Sequence, residues 1–471
     1  MIDALQPYAE NKDSGQAWLG RVPGHWELRR LKSSVANVVE QTSETEVGDV
    51  YVALEHVESW TGRVRPITAG ALFTGQVKRF APGDVLFGKL RPYLAKVTRL
   101  PQRGVCVGEF FVLRTRSTEL LQSYLEQLLR SKPAIDVVNG STFGAKMPRA
   151  DWQFVGSLRI CIPPPDEQAA IVRFLCHANG RMDGAIRAKQ KLIALLNEQK
   201  QAIIQCGVTR GLAPSVPLKT SDIPWLGEIP KHWEVLRSKY IFREVDERSA
   251  TGEETHLSMS QRLGLIPRSA IEENRLVSQS YVGAKLCEKG DLVLNRLKAH
   301  LGVFALASQR GLVSPDYTVF RQTRAMEPHY FEAVYRTPAC RVELRQRAKG
   351  IVQGFWRLYT DDFYNIRMPV PPVQEQEQIM TRLDLKLAGL NNAIRRSERE
   401  IGLLLEYRAR LSSDVVTGNL DVRAAGSQLP PVAEVGCDSF DVEAFDPEDD
   451  AEVRVDDSGL VGSWPRPSND L

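Results

Sequence analysis

The residues of this sequence that could do chemistry are few, and most come in pairs. Gly83-Asp-Val-Leu-Phe-Gly-Lys89 has the G-x-x-x-x-G-K spacing with which backbone N–H groups and a lysine cradle phosphates. The next residue is Leu90, where a magnesium-binding Ser or Thr is needed, and Val85-Leu86-Phe87 suits a strand better than a loop. The matching positions further along are Asn295 and Arg296, which removes the motif, so nucleotide binding is not expected. Glu167-Gln168 and Glu375-Gln376 could suggest acid–base work. Each pair stands at the first turn of a long helical segment, where Glu and Gln are ordinary capping residues, and the structural reading is preferred. His25 and His232 each lie between a Pro and a Trp and are expected to be packed structural histidines. No H-E-x-x-H, G-x-S-x-G or G-x-G-x-x-G after a strand occurs, and no Asp/Asn-Pro-Pro-aromatic tetrapeptide of the amino-methyltransferase kind. The seven cysteines are scattered without a C-x-x-C pair, which predicts reduced thiols and no structural zinc. No catalytic residue and no metal ligand is nominated.

The pairing has a simple origin. Trp18-Leu-Gly-Arg-Val-Pro-Gly-His-Trp-Glu27 returns as Trp225-Leu-Gly-Glu-Ile-Pro-Lys-His-Trp-Glu234, seven of ten positions identical at an offset of 207. Gly83-Asp84, Leu90 and Leu94 return at the same offset as Gly290-Asp291, Leu297 and Leu301. At 208, Pro163-Pro-Pro-Asp-Glu-Gln168 matches Pro371-Pro-Val-Gln-Glu-Gln376, and Val208-Thr209 matches Val416-Thr417. Chance does not keep such matches in register, so the chain is a tandem duplication.

Each unit must position its residues with the same elements. Short β-rich runs (Val50–Leu54, Val85–Phe87, Phe110–Leu113) stand among Gly and Pro turns, and a helix is predicted over Glu119–Leu129. Alternation at Leu158, Ile160 and Ile162, and at Ile366, Met368 and Val370, predicts a closing strand. After the proline run, Ile171, Leu175, Ala178, Met182, Ala185, Leu192, Leu196 and Ile203 fall near a 3.5-residue spacing. Leu383, Leu387, Leu390, Ile394, Ile401, Leu405 and Leu411 do the same in the second unit. Each stretch predicts a helix of about 40 residues, roughly 60 Å long, which needs a partner helix to cover it. If the two pair, chain order makes them antiparallel.

The expected fold is therefore mixed α/β: two globular heads separated by two long antiparallel helices in a coiled-coil-like rod, a pseudo-two-fold duplication. The expected boundaries are head one at 1–162, a helical spacer at 163–212, head two at 213–370, a second spacer at 371–423 and an acidic, disordered tail at 424–471. That tail carries twelve acids against two arginines, −10, which leaves +13 on residues 1–423. A basic body of ordinary globular composition suits a nucleic-acid binder. No apolar run approaches the roughly 20 residues of a membrane span, and the N-terminus has no signal-peptide pattern; a cytoplasmic protein is expected.

The W-L-G-x-x-P-x-H-W-E opening, the G-D-V-L-F-x-K-L-R-P block, the P-P-P-x-E-Q helix start and the Val-Thr helix ends form an ordered, duplicated set. Together they resemble the specificity subunits of Type I restriction–modification enzymes over about residues 15–424. The resemblance implies two target-recognition domains, each reading one half of a bipartite, asymmetric site in double-stranded DNA. It implies that the helical regions set the spacer and bind two modification subunits that methylate adenine with S-adenosylmethionine. Motor–nuclease subunits would add steps dependent on ATP and magnesium. No cofactor and no catalysis is expected of this chain itself. For DNA contact the basic residues interleaved with aromatics and turns are nominated: Lys89, Arg91, Tyr93, Lys146 and Arg149 in head one, and Arg296, Lys298, His300, Arg357 and Tyr359 in head two. Arg can read guanine bidentately, whereas Lys mostly anchors phosphate. The heads diverge where this matters: Gly88–Tyr93 reads G-K-L-R-P-Y and Asn295–His300 reads N-R-L-K-A-H. Other readings stay open, namely a subunit of a modification-only methyltransferase, a duplicated helical adaptor without DNA binding, and an enzyme in its own right.

Overall fold

The computed structural model describes residues 5–64, 67–68, 75–144, 147–211, 215–260, 263–270, 281–352 and 355–430. It divides into two compact units, residues up to 187 with those from 401 onward, and residues 188–400.

The first unit is built on an antiparallel sheet ordered Val97–Arg99, Val85–Gly88, Phe110–Thr115, Val35–Val38. All four residues of Val85–Gly88 are buried, so the G-x-x-x-x-G-K stretch is a central strand, as its apolar interior required. Beside it lies a five-stranded sheet containing Val77–Phe80, Gly104–Cys106 and Val50–Val52. The predicted helix forms over Gln122–Arg130 and the closing strand over Arg159–Ile162, paired with Glu27–Arg30. The second unit repeats the plan 207 residues on. Its sheet runs Phe304–Leu306, Leu292–Asn295, Tyr317–Gln322, Phe242–Val245, and Arg367–Val370 pairs with Glu234–Arg237. The fold is thus mixed α/β and duplicated.

Two long helices, Pro165–Arg210 and Val373–Val416, follow the closing strands. They run antiparallel where they meet. In the first unit Asp183 accepts from Arg408 at 2.8 Å and pairs with Arg63 as well. In the second, Lys189 pairs with Glu400, Lys200 donates to Asn391 at 2.9 Å, and Gly207 leaves room for Leu383. The expected seam needs correction. Leu192 and Leu405 are exposed at 46% and 42%, with Leu195, Leu403 and Tyr407 exposed near them. Spacing tells which side chains share a face, not whether that face is covered.

Three of the four repeated motifs build one joint, made twice. In the first unit Glu167, at the helix start, accepts from Trp26 Nε1 at 3.0 Å and from Tyr8, and pairs with His25 at 2.8 Å. In the second, Glu375 pairs with His232 at 2.7 Å and accepts from Trp233 Nε1 at 3.1 Å. These glutamates are tertiary anchors rather than the expected caps, and their histidines are half-exposed partners rather than packed core. The neighbouring amides span backbone groups: Gln168 binds Leu121 N and the carbonyls of Glu119 and Pro163, and Gln376 binds Glu327 N and the carbonyl of Pro371. The helix ends complete the joint. Tyr330 donates to Val208 O at 2.8 Å, and Tyr124 to Val416 O at 3.3 Å. Gly211 and Gly418 turn with φ of +73° and +78° against Trp233 and Trp26, where φ alone disfavours a side chain. The second unit is therefore closed by the end of the first long helix, and the first unit by the end of the second.

The folded chain continues past the expected boundary at 424. Arg423–Ser427 is a short helix, Gly426 abuts Ala170, and Leu429 packs on the first core. Residues 431–471, which hold all the tail's charge, lie outside the described residues. Five described cysteines, Cys106, Cys161, Cys206, Cys287 and Cys340, are free.

Candidate nucleic-acid interface

The strand that follows Gly83-Asp84 is anchored before it delivers its block. Asp84 accepts from Ala81 N and pairs with Arg114 at 2.6 Å; Asp291 accepts from Glu288 N and pairs with Arg321 at 2.9 Å. Both aspartates are almost fully buried, and neither arginine had been singled out. Their identity at an offset of 207, in step with the Gly-Asp pair, was the available signal.

Beyond this strand the chain enters the nominated block, and in both heads a second loop lies alongside. In head one Ala150 N donates to Lys89 O at 2.8 Å, and Arg91 N donates to Pro148 O at 2.8 Å. Lys89, Arg91 and Arg149 therefore share one edge, with Arg91, Tyr93 and Arg149 exposed. The exposed Phe143 and Met147 belong to the same loop. Arg91 and Ala95 bracket the turn Pro92–Leu94 in left-handed conformation, φ of +50° and +48°. Such strain in a bulky residue costs about 1–3 kcal/mol and concentrates at functional sites. The residue 207 on from Ala95 is Gly302, at φ +69°. In head two Leu358 N donates to Arg296 O at 3.1 Å, which sets Arg357 and the exposed Tyr359 beside Arg296. Arg296 spends its guanidinium on the carbonyls of Pro315 and Asp316, at 3.0 and 3.1 Å, which favours a packing role there. Lys298 lies partly exposed in the turn Arg296–Leu301. Lys146 and the side chain of His300 lie outside the described residues.

Two further groups at each edge were not singled out. Glu109 Oε1 meets Arg149 Nη2 at 3.1 Å, and Asp316 Oδ1 meets Arg357 Nη2 at 3.1 Å. Beneath them, buried Lys78 donates to Phe110 O at 2.7 Å and Lys285 to Tyr317 O at 3.0 Å. Burial lowers the pKa of both lysines, the positive Lys89 adding to it for Lys78 and Arg296 for Lys285. Among the described residues no cluster of His, Cys, Asp and Glu could hold a metal, and no helix is long and apolar enough to cross a membrane.

No family model matches the sequence. The fold matches a solved chain described under complex assembly and conformational transition of the type I R-M system, with a TM-score of 0.58 and 18% identity, over 84% of this chain and 98% of that one. A Methanocaldococcus jannaschii protein named as the MjaX type I restriction enzyme specificity subunit is 22% identical over 460 residues, 90% of this chain and 100% of its own length. Over most of its length the chain is thus similar to Type I restriction enzyme specificity subunits. The M. jannaschii MjaVIII specificity subunit is 21% identical over 72% of this chain and 77% of its own. Three of the repeated motifs are spent on the joints, while the Gly-Asp block leads to the basic edges, which vary between the heads.

Proposed function

We propose that this chain is a specificity subunit that reads a bipartite, asymmetric DNA site, one half with each head. The observation that carries the reading is the edge itself. In both heads one backbone pairing brings a turn after the Gly-Asp strand beside an arginine-bearing loop, while the exposed side chains differ. A shared scaffold with different exposed chemistry suits two half-sites of different sequence. The long helices set the spacing, and the leucines exposed along them suit docking by two adenine-methylating modification subunits. S-adenosylmethionine, and any ATP and magnesium used in restriction, belong to those partners, and this chain turns nothing over. Methylome sequencing with the gene intact and deleted tests the whole reading. Deletion should abolish adenine methylation at one bipartite motif. Survival of every motif in the deletion strain refutes it, as does measurable S-adenosylmethionine binding by the pure chain for the non-catalytic part.

A further inference from the structure

The acid–arginine pair at the edge of each head has more to do than hold the fold. Glu109 and Asp316 are 207 residues apart, Arg149 and Arg357 are 208 apart, and the flanking loops differ in sequence. The surroundings recur nonetheless. The backbone carbonyl of each acid accepts from the first block residue, from Lys89 N at 2.9 Å in one head and Arg296 Nε at 3.1 Å in the other. The next carbonyl is taken by the buried lysine. Acid, arginine and block are thus tied to one point of one strand, twice.

Stability does not explain the pairs. Arg149 is 55% exposed and Arg357 39%, and ion pairs so open to water contribute little. Glu109 Oε2 is buried with no hydrogen-bond partner, which costs stability. What the pairs do supply is order. An arginine side chain loses much rotamer freedom when its fork is fixed, and a contact made by a fork already fixed loses less on binding. Each acid engages one terminal nitrogen of an arginine that keeps a third or more of its side chain exposed.

The geometry points to Glu109 and Asp316 as positioning residues for half-site specificity: they aim Arg149 and Arg357 at a base edge, guanine being the base whose paired acceptors match the fork. This rests on the DNA-reading function proposed above. The test selects bound duplexes from a library randomised in both half-sites, using the full chain alone and with a purified modification subunit. Glu109→Gln should weaken base preference roughly tenfold in the half-site that Arg149→Ala affects, and Asp316→Asn in the half-site that Arg357→Ala affects. Arg149→Lys keeps the charge, loses the fork and leaves the acid in place, so it should lose preference while keeping salt-dependent affinity. Each acid–arginine double variant should be no worse than its arginine single, because both changes remove one contact. If the unaltered chain selects no sequence, the DNA reading itself fails. If it does select, unchanged preference in Glu109→Gln and Arg149→Lys, or additive losses in the doubles, overturns the positioning role.

Discussion

At the scale of single residues, strain and burial separate the groups that hold the protein from those offered to a ligand. Arg91 keeps a left-handed backbone that glycine would adopt more readily. Arg91→Gly should therefore stabilise the fold by about 1 kcal/mol in urea denaturation. If Arg91 meets a phosphate, the same variant should flatten the slope of log K against log salt by about 0.9 in filter binding. Ala95→Gly should bring the stability gain alone. Loss of stability in Arg91→Gly would show that its side chain serves the fold. The joint glutamates make the opposite case. The Glu167 side chain is 3% exposed and takes three partners, whereas Glu375 is 27% exposed and takes two. Glu167→Ala strands a buried indole and a phenol, at a cost of about 2–4 kcal/mol, and Glu375→Ala should cost distinctly less. Denaturation midpoints of the two variants check the order.

At the scale of elements, the closing strands, the central strands of the first unit and both long helices were legible from apolar runs bounded by proline or glycine. Arg159–Ile162 and Arg367–Val370 alternate and are stopped by proline, and no proline interrupts either helix. The joint was visible only as motifs. Nothing in W-L-G-x-x-P-x-H-W-E says that its His and Trp grip a glutamate some 140 residues away. Glu109 and Asp316 were illegible for a different reason: each is a single acid inside a divergent stretch, and only the fold brings it to its arginine. The helices carry a prediction of their own. A matched heptad inserted near Leu192 and another near Ile401 keep the helical faces in phase and add about 10 Å. At about 3.4 Å per base pair, the nonspecific spacer of the methylated site should lengthen by up to about three base pairs with both half-sites unchanged. A folded variant that methylates the original spacing shows that the helices do not set the distance.

At the scale of the whole molecule, the chain's order along the sequence and its order in space differ. The first unit is completed by Val415, Val416 and Val422, all fully buried, together with Leu411. Burying three valines contributes about 5–9 kcal/mol, comparable with the 5–15 kcal/mol that holds a typical domain together. A chain stopped after Ser413 should lose hydrogen-exchange protection across the first unit and keep it across residues 215–370. Equal protection in both units would mean that the helix end is dispensable.

The same crossing sets a timetable for synthesis. When the second unit has been made, the helix end that seals it, Val208–Gly211, has long left the ribosome. The first unit waits for Val416, which is translated roughly 10–50 s after its own closing strand at about 5–20 residues per second. Throughout that interval the cleft around Trp26 and Tyr124 stands open, so nascent chains should be richest in chaperone contact at the segment made first.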